Sequence, residues 1–317
     1  HGGDIDLAIK KYGGEREDWI DLSTGINGTS YPWQESINVE LRNLPSNKIL
    51  MNLEKAAARA YKIAESIDTA AVSGAQQIIN LLPICLKSCN SVTILGPTYN
   101  EYEKAFKSSG IKTQTVSEVS KLSSSDIAII VNPNNPTGKV ITEEILDDLS
   151  KKVRILIIDE SFKMFSSRKT LNFSNIIQIN SLGKFFGLAG VRLGFVSGPS
   201  DFIKAVKEML GPWPVSSLAA EIGIVALNDR VWISEMEKLL VTESNALHEA
   251  CSSRNWELVG RTSLFHTYAT SSCLEVEKQF AAHGIWVRTF DYSETWVRLG
   301  IPTSENQWER VKQALNQ

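Results

Sequence analysis

Between residues 69 and 198 the chain alternates short runs of aliphatic and β-branched residues with stretches of helical periodicity. Thr69–Gly74, Ser91–Gly96, Ile111–Val116, Ile127–Asn132, Arg154–Glu160, Ile176–Asn180 and Gly194–Gly198 read as strands. In several of them apolar side chains occupy consecutive positions, not alternate ones. Such runs must be covered on both faces, as in a mostly parallel sheet with helices on each side. This restricts the chain to an α/β layered domain. A chain of 317 residues with 43% apolar residues has enough material for a large core and a second packed unit.

The pattern changes towards the carboxyl end. Pro212-Trp213-Pro214 breaks the chain after a helix over Asp201–Leu210, and a long helical stretch runs through Val231–Ser252. Strand patterns then recur at Trp256–Arg261, Phe265–Thr270, Ile285–Phe290 and Thr295–Ile301, with helices near Ser272–His283 and Ser304–Asn316. This tail reads as a small α+β unit. The expected division is a large domain over 33–228, a small one over 229–317, and an amino-terminal segment, 1–32, that contributes to the substrate site.

Charge excludes some functions. The net charge is −3 and the pI about 5.9, with Lys and Arg scattered among Asp and Glu, so no basic face points to nucleic acid or an anionic membrane. No apolar run reaches the roughly 18 residues that span a bilayer. The opening His1-Gly2-Gly3-Asp4 carries no signal-peptide pattern and lacks an initiating Met, so the chain is expected to begin mid-sequence. Cys85, Cys89, Cys251 and Cys273 read as free thiols of a cytoplasmic protein, and no metal site is expected.

The chemistry concentrates at the ends of the strands. Asp159 closes the run Ile155-Leu156-Ile157-Ile158, so its carboxylate emerges at the carboxyl edge of the sheet, where open α/β sheets bind ligands. Lys184 lies between Gly183 and Phe185-Phe186, where partial loss of water favours a neutral, nucleophilic amine. Ser181 and Arg192 flank it and suit a phosphate. Ser73-Gly74-Ala75-Gln76-Gln77 follows a strand and opens a helix, so its backbone N–H groups can add to a phosphate cup. Asn135, in Asn132-Pro133-Asn134-Asn135-Pro136-Thr137-Gly138, offers an amide at another strand end, and Tyr99 can lay its ring on a planar ligand. An amine, a buried acid and phosphate donors together suit pyridoxal 5′-phosphate. Its aldehyde condenses with an amine, its ring nitrogen needs a carboxylate, and its phosphate needs donors.

In order and spacing these motifs resemble those of the fold-type I pyridoxal-phosphate enzymes of the class I/II aminotransferase superfamily. Within it the chain is similar to the histidinol-phosphate aminotransferases, and more so to the threonine-phosphate decarboxylases of cobalamin biosynthesis. His1-Gly2-Gly3 with Asp21-Leu22-Ser23-Thr24-Gly25-Ile26-Asn27, Ser181–Gly190, and Leu210-Gly211-Pro212-Trp213-Pro214-Val215-Ser216 carry the narrower resemblance.

The resemblance implies the aspartate aminotransferase fold, a homodimer, and a small phosphorylated amino acid as substrate. It implies that Lys184 binds the cofactor's aldehyde, Asp159 its ring nitrogen and Asn135 its 3′-oxygen, while Tyr99 stacks on the ring. Gly74, Ala75, Gln76, Ser181 and Arg192 fall around the phosphate. Arg298, in Trp296-Val297-Arg298-Leu299-Gly300, would clamp the substrate carboxylate, with His1, Asn27 and Arg288 for its polar end. Phe162 and Leu44 depart from the wider pattern, standing where many relatives have tyrosines. Decarboxylation of L-threonine O-3-phosphate to (R)-1-amino-2-propanol O-2-phosphate is the expected activity. Transamination of the histidinol-phosphate type is the alternative, and a cofactor-binding module without turnover a remote one.

Overall fold

The computed structural model describes residues 2–38, 40–86, 88–171 and 174–316. In chain order its elements begin with α1 (Ile5–Tyr12), β1 (Ile20–Asp21), α2 (Asn47–Ala60), β2 (Asp68–Val72), α3 (Ala75–Cys85), β3 (Ser91–Leu95) and α4 (Glu101–Ser108). There follow β4 (Lys112–Val116), β5 (Ile127–Val131), α5 (Glu143–Ser150), β6 (Ile155–Asp159), β7 (Ile176–Ser181), β8 (Gly194–Gly198), α6 (Ser200–Leu210) and α7 (Ser217–Asn228). The chain closes with α8 (Arg230–Ser252), β9 (Glu257–Arg261), β10 (Phe265–Ala269), α9 (Cys273–Ala281), β11 (Ile285–Trp286), β12 (Arg288–Phe290), β13 (Ser293–Gly300) and α10 (Glu305–Leu315).

Two compact units result. The larger comprises Tyr31–Asn135 and Val140–Ile233; the other comprises His1–Ser30, Pro136–Lys139 and Ser234–Gln317. The larger unit is built on a seven-stranded sheet in the order β2-β8-β7-β6-β5-β3-β4. Strands β4, β3, β5, β6 and β7 run parallel, and β8 is antiparallel to both β7 and β2. Hence β2 points the same way as β7, and the carboxyl ends of β2, β3, β5, β6 and β7 share one edge.

The apolar runs divide by the twofold alternation of a strand. Ile127, Ile129, Val131 and Ile157 pack with Ile78, Ile79 and Leu82 of α3, Tyr102 and Phe106 of α4, and Ile203 and Val206 of α6. Ala128, Ile130, Leu156 and Ile158 pack with Leu146 and Leu149 of α5. Each such aliphatic side chain contributes roughly 1.5–3 kcal/mol through burial. Edge strand β4 is different: its polar Lys112, Gln114 and Thr115 remain exposed.

In the other unit β12-β13-β10-β9 form a four-stranded antiparallel sheet, and β1 pairs with β11 in parallel. The strand expected over Ile285–Phe290 is two strands. β11 pairs with β1 and β12 with β13, so the chain changes partner at Val287. The strand expected from Thr69 to Gly74 stops at Val72, because Gly74 already has φ +83° in the turn into α3. No helix of the described residues is long and apolar enough to cross a membrane. Cys89, Cys251 and Cys273 are buried free thiols.

Candidate active site

Every side chain at the shared strand edge arrives there by parity or by a turn. Asp159 lies two residues beyond Ile157 and so takes the α3/α4 face of the sheet; Ser181 follows Ile177 and Ile179 in the same way. Asn135 leaves β5, Tyr99 sits between β3 and α4, and Lys184 lies in the turn after β7. Arg192 precedes β8 in the left-handed region, at φ +57°.

These residues meet in one cavity of ≈ 160 Å³ in the larger unit. Ala75, Gln76, Tyr99, Asn135, Asp159, Ser181, Lys184 and Arg192 all line it, joined by Ile79, Val131, Ser161 and Phe162. Asp159 is 5% exposed. Its Oδ1 accepts the Ser161 N–H at 2.9 Å and its Oδ2 the Tyr102 hydroxyl at 2.8 Å. Burial pushes its pKa above the usual carboxylate range, against the opposing pull of the Ser161 and Tyr102 hydrogen bonds and the Lys184 charge. The half-buried Lys184 holds its Nζ 5.6 Å from the ring centroid of Phe162. The Tyr99 hydroxyl donates to Gln76 Oε1 at 2.9 Å, and burial, aided by Glu101 and Asp159, raises its pKa to about 12.

The phosphate end is shaped by two glycines. A Cβ on Gly74 would stand 2.6 Å from Arg192 Nη2, and its φ of +83° suits glycine alone. A Cβ on Gly194 would stand 2.8 Å from the Ala75 nitrogen, so its absence lets the start of α3 approach β8. Gly74 caps α3 with no side-chain hydrogen bond; the Gln77 N–H turns back to the Gly74 carbonyl at 3.1 Å, and the N–H groups of Ala75 and Gln76 ahead of it are the ones a helix start presents to an anion. Ser181 Oγ accepts the Gly183 N–H at 3.2 Å, which ties it to the lysine turn. A planar phosphorylated aldehyde therefore fits the donor set: an amine, a buried carboxylate and a concave, donor-rich end kept open by glycine.

The residues singled out for the substrate lie in the other unit. Arg288 and Arg298 are directly opposed on β12 and β13. Arg298 is 7% exposed; its Nη2 donates to the Ser23 carbonyl at 2.7 Å, and its ring neighbour is Phe265, with Cζ 5.1 Å from the centroid. Burial first, then the nearby Arg288 charge, lowers its pKa to about 10. Gly300 donates to the Leu22 carbonyl at 2.7 Å, so the 22–24 loop runs along β13. Asn27 is buried, and its Oδ1 accepts the Thr29 N–H at 2.9 Å, closing its own turn. His1 lies outside the described residues. Among the described residues no group of three or more His, Cys, Asp or Glu could hold a metal ion.

Sequence reasoning missed Tyr102 and Ser161. Tyr102 is a fully buried aromatic within α4, and such a residue reads as core.

The sequence model of the family described as aminotransferase class I and II matches residues 17–315. A threonine-phosphate decarboxylase of a Sinorhizobium species is 30% identical, with 99% of this chain and 97% of that protein covered. A threonine-phosphate decarboxylase of Pseudomonas aeruginosa is 32% identical, over 99% of this chain and 96% of that one. Among solved structures, the histidinol-phosphate aminotransferase from Clostridium acetobutylicum superposes with a TM-score of 0.82 at 22% identity, over 93% of this chain and 97% of its own, which shows the shared fold. On a match that spans nearly the whole sequence, with the α/β architecture to go with it, the chain belongs to the aminotransferase class I and II family.

Proposed function

We propose that this protein is a pyridoxal 5′-phosphate enzyme that decarboxylates L-threonine O-3-phosphate, yielding (R)-1-amino-2-propanol O-2-phosphate for cobalamin biosynthesis. The observation that carries the cofactor is the meeting of Lys184, Asp159, Ser181 and Arg192 in one cavity, with Gly74 packed against the Arg192 guanidinium. The choice of reaction is supported by the 30% and 32% identities to threonine-phosphate decarboxylases over nearly full lengths.

When bound, the cofactor supplies an electron-withdrawing ring that takes up the electron pair left as a bond at the substrate's Cα breaks. The chain's own residues do the rest. Lys184 Nζ would hold the cofactor covalently at rest and, once displaced by the substrate amine, carry a proton to Cα. Asp159 would keep the ring nitrogen protonated. Tyr99 would cover one ring face and Asn135 would hold the 3′-oxygen. Arg192, Ser181 and the N–H groups of Ala75 and Gln76 would hold the phosphate. Arg298, with Arg288 opposite, would take the substrate's carboxylate and phosphate, assisted by Asn27 and His1; the planar guanidinium fork matches both anions. A homodimer and a cytoplasmic location belong to the same reading.

Transamination would use the same residues but break the Cα–H bond in place of the Cα–carboxylate bond, with Lys184 moving that proton and a keto acid taking up the amino group. The test is incubation of the cofactor-loaded protein with L-threonine O-3-phosphate. Release of carbon dioxide without any keto acid supports the proposal. Keto-acid-dependent amino transfer without carbon dioxide establishes the aminotransferase instead, and an unchanged cofactor spectrum leaves a binding module.

A further inference from the structure

Tyr102 belongs to no motif, yet it reaches Asp159, the buried acid that lines the cavity. It sits on α4, its side chain is fully buried among Ile78, Ile129 and Phe106, and its hydroxyl donates to Asp159 Oδ2 at 2.8 Å. Apolar packing alone would be met by phenylalanine. The single polar atom of this ring is spent on one carboxylate oxygen while Ser161 takes the other.

We propose that Tyr102 is a positioning residue for Asp159: its hydroxyl holds the carboxylate in one orientation and in the ionised form, and so keeps the cofactor's ring nitrogen protonated. This role rests on the reading of the cavity as a pyridoxal phosphate site. Loss of water drives a buried carboxylate towards its neutral form, and a neutral acid could not hold a proton on the ring. Tyr102 works against that drift. Its own ionisation is pushed well above the usual phenol range, by burial first and by the Asp159 charge second, so it stays a donor wherever the protein is folded. The other groups facing the pair are Tyr99, ahead of α4, Ser161 after β6 and Lys184 after β7, with Glu101 and Arg192 acting on Tyr99. Of these, Tyr102 and Ser161 alone are hydrogen-bond donors to Asp159 among the contacts that set its ionisation.

The test uses holoprotein loaded with cofactor carrying ¹⁵N in the ring, whose chemical shift reports the nitrogen's protonation across a pH titration. In the wild type the nitrogen stays protonated to high pH. In Tyr102→Phe it loses its proton about one pH unit lower, the shift that corresponds to one hydrogen bond to a charged group. In an Asp159→Asn background the same change has no further effect. Site-specific 3-fluorotyrosine at position 102, a stronger donor of nearly the same shape, moves the titration the opposite way and supplies the answer should Tyr102→Phe not fold. A Tyr102→Phe titration that overlays the wild type, or a shift that persists without the Asp159 carboxylate, overturns the proposal. Wild-type protein that takes up no labelled cofactor overturns the reading of the cavity, and this role with it.

Discussion

At position 74 one residue meets two demands, a left-handed backbone and a guanidinium so close that a methyl group would press into it at 2.6 Å. Gly74→Ala is expected to strain the turn and push Arg192 aside, weakening affinity for the cofactor, and for inorganic phosphate as a probe, by tenfold or more in equilibrium dialysis. Asp159 makes a second prediction at this scale. Its pKa in the folded, cofactor-free protein is raised by burial. The folded state therefore binds its proton more tightly than the unfolded chain. Its contribution to stability is fully present below the unfolded carboxylate value and is lost as pH rises through the raised folded value. Cofactor-free Asp159→Asn should accordingly be more heat-stable than wild type at pH 7, with the advantage vanishing near pH 3–4; equal melting temperatures at pH 7 contradict this. Much of this scale was legible in the sequence. Lys184, Asp159 and Arg192 announce themselves because their chemistry sits beside small residues at strand ends. Tyr102 did not, because a phenol hidden in a helix gives the same pattern as a packing aromatic.

Among the elements, the central strands were readable from continuous aliphatic runs, since only a sheet covered on both faces tolerates them. The break between β11 and β12 was not, because partner choice at Val287 depends on β1, which lies far away in sequence. Helix α1 was likewise not foreseen, and its attachment is specific. Buried Glu277 of α9 accepts from the Lys11 ammonium, from the Tyr12 hydroxyl at 2.6 Å and from Thr289 at 3.1 Å. The Lys11 pKa is raised, first by its hydrogen bond to Glu277. Because the Lys11 side chain is 45% exposed, water screens much of that ion pair, and the bond from the half-buried Tyr12 counts for more. Glu277→Ala should cost about 2 kcal/mol in urea unfolding and open α1 to trypsin at Lys10 and Lys11 before the rest of the chain is cut. Unchanged stability together with an intact amino terminus would contradict that attachment.

For the molecule as a whole, the sequence pattern distinguishes a sheet-based unit from a smaller α+β region because the periodicity changes after Pro214. It does not reveal that Pro136–Lys139 cluster with the second unit. There the Thr267 hydroxyl donates to the Pro136 carbonyl at 2.5 Å, and Gly260 leaves room for the Thr137 carbonyl at 1.9 Å from where a Cβ would stand. That contact joins residues more than a hundred positions apart and has no local signature. The proposed homodimer predicts a sedimenting species of twice the 35.1 kDa chain at micromolar concentration, and a stable monomer would contradict it. The proposed chemistry depends most on the Lys184 amine in the turn after β7. The decisive measurement is borohydride reduction of the cofactor-loaded protein followed by peptide mass analysis. A phosphopyridoxyl group on Lys184, with none incorporated into Lys184→Ala, is the predicted result. A label on another lysine, or an unchanged absorbance band in Lys184→Ala, would contradict it.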